Sequence, residues 1–457
     1  MATLNEASGL FACPRCDQHP LETGADTWQC PACRTSFPLL DGVPALFAEP
    51  AATLGEWRNR LHLQLVQLEQ HAALIGRRLG SDDLLPTTRQ RLELLQEASL
   101  DHRRRLAALL APLTPEQQIA SHETHLALRT RLPADQGLTT YYSNIHRDWA
   151  WGEAENQASL ALVLEALGDE PPGPTLVLGA GAGRLAFDLH QASGSELLVA
   201  LDFNPLLMLL LNRLARGESV SLWEFPLAPR YLADSAVLRE LRAPQAATAG
   251  LMPVLADAHR PPFAPGSFST IVTPWVVDIL PEELALQARR INRLLAAGGR
   301  WINFGSLAFS FADPARCLSV EEALAVVAAE GFGPPQTQEA EIPYMCSPAS
   351  RHGRREQVLL WKAVKNAEAA APERHRALPD WLVTGREPVP LLSAFESQLM
   401  STRIHLFIMG LVDGRRTLKE MAALLEEQRL MTREEAEPAI RGFLLRMYED
   451  SLRGQRL

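Results

Sequence analysis

Two groups of residues in this chain of 457 have types and spacings that do chemistry. One is a pair of Cys-x-x-Cys knuckles, Cys13/Cys16 and Cys30/Cys33, with thirteen residues between them. Four thiolates so spaced close a tetrahedral shell around zinc and leave no position for a reactive water, so the metal is expected to be structural. The segment 11–47 is too short to build a core, and metal binding would supply its folding energy. The other group is a glycine turn followed by an acid. LVLGAGAGRLAFDL (176–189) runs from an apolar strand through Gly179, Gly181 and Gly183 into an amphipathic helix, and LLVALDFNP puts Asp202 at the end of a second strand. Glycine lets the chain turn sharply and a ligand come close to it. The helix directs its N-terminus at that ligand, and the acid accepts hydrogen bonds from ribose hydroxyls. The arrangement reads as a Rossmann-like grip on an adenosine-containing cofactor.

Glycine spacing narrows the choice of cofactor. A dinucleotide site asks for GxGxxG; here the third glycine comes one residue early and Arg184 stands in its place. GxGxG with a second-strand acid resembles the S-adenosylmethionine-dependent methyltransferases of the Rossmann-like class I. Asp257, in MPVLADAHRPPF, ends a third strand, where this class commonly meets the adenine. STIVTPWVVDIL reads as a fourth strand leading into a catalytic loop, and RLLAAGGRWINFG as a helix, a glycine turn and a fifth strand.

These residues need a frame. At ~150 residues per domain the length suggests about three domains. The expected layout is a zinc ribbon over 1–50, a helical cap over 51–138, an α/β methyltransferase domain over 139–365, a polar linker over 366–380 and a small helical, winged-helix-like domain over 381–457. Trp57, Leu61, Leu65, Leu68, Ala72, Ile75 and Leu79 form one helical stripe, and Leu92, Leu95, Leu106, Leu109 and Leu113 a second, within a region read as helical from 56 to 130. Near the C-terminus, Ile404, Phe407, Ile408 and Leu411 make a stripe, as do Ala436, Ile440, Phe443, Leu444 and Met447. Thr417 with Glu420, and Thr432 with Glu435, read as capping boxes. A net charge of −10 argues against a nucleic-acid partner held through phosphates. No apolar stretch approaches the ~18 residues of a membrane span. With no visible secretory signal, and with Cys317 and Cys346 isolated, a reducing cytoplasm is the expected compartment.

Three further resemblances are visible. FPLLDGVPALF (37–47) is similar to the YPIxDGIPxLL ending of small zinc-ribbon proteins that partner several methyltransferases. LFIMGLVDGRRTLKEMAALL (406–425) resembles PqqD-like domains, which bind leader peptides, so a peptide or protein bound by this module is an expectation beside a plain docking role. The RDW triplet at 147–149, GAGAGRLAFDL, LLMLLLNRL, TPWVVDIL and GGRWINFGSLAF together resemble the carnosine N-methyltransferase family over residues 140–365. Position by position, that resemblance implies cofactor contacts from Asn144, Arg147, Gly179, Gly181, Gly183, Asp202 and Asp257, with Ala258 and Thr273 beside them. It implies that Asp278 faces the acceptor nitrogen and that Tyr344 lines the acceptor pocket. The chain departs from the family in lacking a histidine within 304–311 and a second tyrosine near Arg355 or Glu356, and in carrying an insertion, LWEFPLAPRYLADSAVLRELRAPQ (222–245). Trp223 and Arg230 of that insertion read equally as substrate groups or as packing.

The function these residues imply is methyl transfer from S-adenosylmethionine to an imidazole or amine nitrogen of a small molecule or peptide. Arg147 would pair with the methionine carboxylate. Asp278 would orient the acceptor N–H or take its proton, or else cap the helix after Pro281. An RNA methyltransferase that uses the ribbon to hold its substrate, and a non-catalytic scaffold that recruits a peptide, are the alternatives.

Overall fold

The computed structural model describes residues 8–114, 137–311, 313–370 and 388–454. The chain divides into two compact units, Met1–Ala377 and Leu378–Leu457. The first is α/β. Its strands are β1 (Thr27–Gln29), β2 (Ser36–Leu40), β3 (Val43–Leu46), β4 (Thr175–Leu178), β5 (Leu198–Asp202), β6 (Val220–Glu224), β7 (Val237–Leu241), β8 (Leu251–Ala256), β9 (Phe268–Pro274), β10 (Leu295–Gly305), β11 (Gln336–Tyr344) and β12 (Arg354–Val364). All but β6 and β7 form one sheet in the order β1-β2-β3-β8-β5-β4-β9-β10-β12-β11.

The middle of this sheet, β8-β5-β4-β9-β10, is parallel. Both β4 and β5 are buried along their whole length, as strands covered on two faces must be. The covers include α3 (Glu153–Leu167), α4 (Arg184–Ser193), α5 (Pro205–Ala215) and α6 (Leu284–Leu294). From β4 the chain winds outward through β5 to β8, then crosses back to β9 and winds the other way. The crevice beyond the strand ends at such a reversal is where open α/β sheets hold ligands. On the far side, β12 pairs antiparallel with both β10 and β11, so a hairpin stands where a dinucleotide fold has its sixth parallel strand.

The N-terminal ribbon is part of the same sheet. Strand β3 lies parallel to β8, with Ala45 opposite Leu255 and Leu46 opposite Ala256. The Ala12 amide donates to the Pro262 carbonyl and the Ala264 amide to the Leu10 carbonyl, each at 2.9 Å. Phe11 packs edge-on to Trp28 at 4.9 Å and against Phe263 at 5.4 Å, so the ribbon's aromatic core is continuous with that of the sheet. The boundaries expected at 50 and 138 mark no break in this packing. Two long helices follow, α1 (Pro50–Leu79) and α2 (Pro86–Leu109), the first opened by a proline whose missing N–H costs nothing there. Trp57, Leu61, Ala72 and Ile75 of the first stripe are buried, as are Leu106, Leu109 and Leu113 of the second. The helical reading for 115–130 lies outside the described residues.

In the insertion, β6 and β7 form a separate antiparallel hairpin. The Trp223 indole donates to Asp101 at 2.8 Å, and the Trp223 carbonyl accepts from the Tyr142 hydroxyl at 2.6 Å. That side chain fastens the insertion to α2, in keeping with the packing reading of Trp223.

The second unit contains α7 (Ser393–Gly410), α8 (Leu418–Glu427) and α9 (Arg433–Gly454), with no strand among its described residues. Ile408, Leu411, Met421, Ala422, Leu425, Ala436 and Ile440 form its own core. Thr417 and Glu420 make the expected reciprocal cap, and Glu435 accepts from the Thr432 hydroxyl at 2.7 Å. The Met447 side chain and the linker residues 371–380 lie outside the described residues. No helix among the described residues is long and apolar enough to cross a membrane.

Candidate active site

A cavity of about 450 Å³ opens at the carboxyl ends of the parallel strands. Gly179, Gly181, Asp202, Asp257, Ala258, Asn144, Arg147, Asp278 and Tyr344 all line it. The three glycines differ in what they do. A Cβ on Gly179 would meet Val276 at 2.6 Å and one on Gly183 would meet Leu211 at 2.5 Å, whereas beside Gly181 the space is open. All three hold positive φ, between 59° and 87°. Gly181 therefore leaves backbone bare toward the cavity, while Gly183 seats α4 on α5 and does not line it. Thr273 does not line it either. Side chains alternate along a strand, and it is the next residue, Pro274, that reaches the cavity. The Thr273 hydroxyl is enclosed in the core, donating to Asn303 at 2.9 Å and accepting from the Trp301 indole at 2.8 Å.

Asp202 closes the glycine turn. One carboxylate oxygen accepts from the Gly181 amide at 3.0 Å and the other from the Asn204 amide at 2.9 Å. Burial nonetheless lifts its pKa to about 6, against the opposing pull of these N–H groups. Asp257 accepts from the His259 ring at 2.8 Å and from its amide at 2.9 Å. Burial acts to raise the Asp257 pKa, but His259 prevails and holds it below the usual carboxylate value.

The RDW triplet is a clamp. Trp149 donates its indole N–H to the Ala182 carbonyl at 2.9 Å, inside the glycine turn. Arg184, standing where a dinucleotide site has glycine, bonds Asp188 at 2.7 Å, Glu153 at 2.9 Å and the Asp148 carbonyl at 2.9 Å. Arg147 bonds Asp148 at 2.7 Å and Glu155 at 2.9 Å. Burial works against its charge, but those two carboxylates raise its pKa above the usual arginine value. Glu155 also accepts from the Met345 amide at 2.8 Å, which ties α3 to the β11–β12 turn.

Asp278, also on the cavity wall, accepts from the Ala308 amide at 2.6 Å and the Ser306 hydroxyl at 3.3 Å. It caps no helix: α6 starts at Leu284 with Glu283 as its cap residue. Trp275 sits between Tyr344, at 5.1 Å, and Phe304, at 5.5 Å. Trp275, Leu307 and Met345 each hold φ of 53°, a left-handed backbone that is rare for side chains of their size. Such residues gather where a site demands a geometry that local preference opposes.

Sequence reasoning missed several wall residues. Leu46, Phe47, Ala48 and Glu49, the tail of the ribbon, line the cavity, as do Asp148, Glu155, His259, Ser306 and Arg354. Asp148 was within reach as the middle of the RDW triplet; nothing local marks the others.

In the ribbon, the four Sγ atoms lie within 4.8 Å of one another, with Cys13–Cys33 at 3.6 Å and Cys16–Cys30 at 3.5 Å. Bonds of ~2.3 Å from a tetrahedral zinc put sulfurs about 3.8 Å apart, so this donor set fits that ion.

No family model matches this sequence, and no curated protein matches it. Among solved structures, it is similar to the YcgJ protein from Bacillus subtilis (14% identity, 46% of this chain and 99% of that one, TM-score 0.32). It is also similar to a possible histamine N-methyltransferase from Thermotoga maritima (12% identity, 49% and 94%, TM-score 0.30). A third likeness is to phosphoethanolamine N-methyltransferase 2 from Haemonchus contortus (13% identity, 50% and 58%, TM-score 0.33). At these scores the likeness carries over neither substrate nor chemistry.

Proposed function

We propose that the chain is a methyltransferase that uses S-adenosylmethionine and acts on an imidazole or amine nitrogen. The observation that supports this most is the convergence of Gly181, Asp202 and Asp257, after three different strands, on one cavity that Asp278, after a fourth, also lines. When bound, S-adenosylmethionine supplies a methyl group on a sulfonium sulfur, open to in-line displacement by a nitrogen lone pair. The bare backbone at Gly181 admits the cofactor. Asp202 accepts from the ribose, and Asp257 and Ala258 border the adenine. Arg147 has two donors committed to Asp148 and Glu155, so an incoming carboxylate would meet those acids beside it; Asn144 is a neutral donor lining the same cavity.

The chain's contribution to rate is alignment and exclusion of water, which between well-oriented reactants is worth on the order of 7–11 kcal/mol. Asp278 is held by two donors, keeps further lone pairs, and receives the acceptor's N–H or its proton. Trp275 and Tyr344 flank that acceptor. The Asp278→Asn variant keeps the size and removes the charge. Turnover on a nitrogen acceptor, followed with radiolabelled methyl, is expected to fall at least a hundredfold with cofactor affinity unchanged. Wild-type turnover in the variant would return Asp278 to a purely structural tie for the loop after β10.

A further inference from the structure

The insertion is joined to the acceptor side of the fold. Its loop 226–231 is stitched to the loop 345–353 between β11 and β12. Pro229 pairs with Ser350, the Arg230 amide donates to the Ala349 carbonyl at 3.0 Å, and the Arg351 amide to the Ala228 carbonyl at 2.9 Å. Ala228 holds φ of 53° to make the join.

At this seam lies an open cleft of about 340 Å³ whose wall includes Arg230, Arg351, His352, Arg354 and Arg355. Two of the four guanidiniums are neutralised: Arg354 pairs with Glu356 at 2.6 Å and Arg355 with Glu341 at 2.9 Å. The other two are bonded to backbone. Arg230 donates to the Ser350 carbonyl at 2.8 Å and Arg351 to the Pro229 carbonyl at 3.2 Å, and among the described residues no carboxylate forms an ion pair with either. Carbonyl bonds orient a guanidinium without cancelling its charge. In a chain with net charge −10, two oriented, unneutralised guanidiniums in one cleft are a specific feature. The fork of N–H donors on each matches the paired oxygens of a phosphate or carboxylate. The cleft also adjoins the main cavity: Arg354 lines both, with its guanidinium 4.6 Å from the Tyr344 ring.

We propose that Arg230 and Arg351 anchor an oxyanion, a phosphate or carboxylate carried by the methyl acceptor, while the acceptor's nitrogen lies in the main cavity. This rests on the methyltransferase reading and assigns the insertion a role in choosing the acceptor. Calorimetry on the full chain, saturated with S-adenosylhomocysteine, tests it with two matched pairs of probes: histamine against histidine, and ethanolamine against phosphoethanolamine. In at least one pair the anionic member should bind tenfold or more tighter. Preference for histidine identifies a carboxylate, and preference for phosphoethanolamine a phosphate. The double variant Arg230→Gln with Arg351→Gln should bring the preference below threefold and leave S-adenosylhomocysteine affinity unchanged. Replacing both by lysine should keep part of the preference. The absence of any preference, or its survival in the glutamine variant, overturns the anchor. Failure of S-adenosylhomocysteine to bind at all overturns the reading of the cavity, and the anchor with it.

Discussion

The two ends of this chain carry small modules that look alike in sequence terms and differ in how they are built in. Both have a compact motif set and a plausible life as a separate domain. The ribbon, however, gives its last strand to the central sheet and the residues after it to the cavity wall. The C-terminal helices bury their own core, and α8 caps its own start. The cause lies in what each can bury. A ribbon of some forty residues has too few apolar side chains to fold on a core of its own, and β3 would otherwise leave an edge of β8 unpaired. Three amphipathic helices satisfy their backbone internally and need only one shared seam.

Loss of the metal is the severest test of that difference. If the four cysteines bind zinc and so hold β3 in place, stripping that metal with a chelator, or Cys30→Ser, should loosen the strand and with it the wall from Leu46 to Glu49. Cofactor affinity is expected to fall more than tenfold, together with a drop in melting temperature. Calorimetry and thermal unfolding on the same preparation check both. Unchanged affinity after complete metal removal would make the ribbon a detached module after all.

Asp202→Ala supplies the scale for that loss. On the proposed reading it removes a charge-assisted ribose contact worth ~1.5–3 kcal/mol, or about ten- to a hundredfold in affinity. Metal loss acting on the wall should be of the same order; a far smaller effect would separate the ribbon from the site. The same carboxyl gives a pH signature. Its pKa in the folded, ligand-free chain is about 6, above the unfolded value of ~3.9. The folded state therefore binds the extra proton between those values, and this group's contribution to stability declines as pH rises from about 4 to about 6. A ribose that donates to the ionised form reverses the penalty. Cofactor affinity should rise by more than about tenfold across that window and level off above about pH 7, and Asp202→Ala should flatten the profile.

How much of this was legible beforehand follows from where each signal lies. Gly179, Gly181, Asp202 and Asp257 sit at strand ends, where apolar runs and turn residues announce them, and all four line the cavity. Asp278 follows a strand end in the same way and lines the same cavity. Gly183 and Thr273 were misplaced because the strand-end rule does not say which way a residue faces: Gly183 is needed for close packing on Leu211, and Thr273 points into the core. Glu155 is tied into the cavity wall by a partner 190 residues away in sequence, the Met345 amide, and no local pattern encodes that. The ribbon's union with β8 is likewise a long-range pairing, one that its own spacing of cysteines gives no reason to expect.

The smallest expected effect is the one that tests the other half of the comparison. Deleting residues 378–457 should leave the first unit's melting temperature within about one degree and its cofactor affinity unchanged. Met421, Leu425 and Ile440 pack within the second unit's own core, and the start of α8 is satisfied by its own Thr417–Glu420 pair. The deletion thus removes a self-contained core rather than a share of the first. Expressed alone, residues 378–457 should be helical by circular dichroism and should unfold with a transition of their own. A several-degree loss in the truncated first unit would mean that the two modules are not opposites, and that the C-terminal helices, like the ribbon, complete a structure they do not contain.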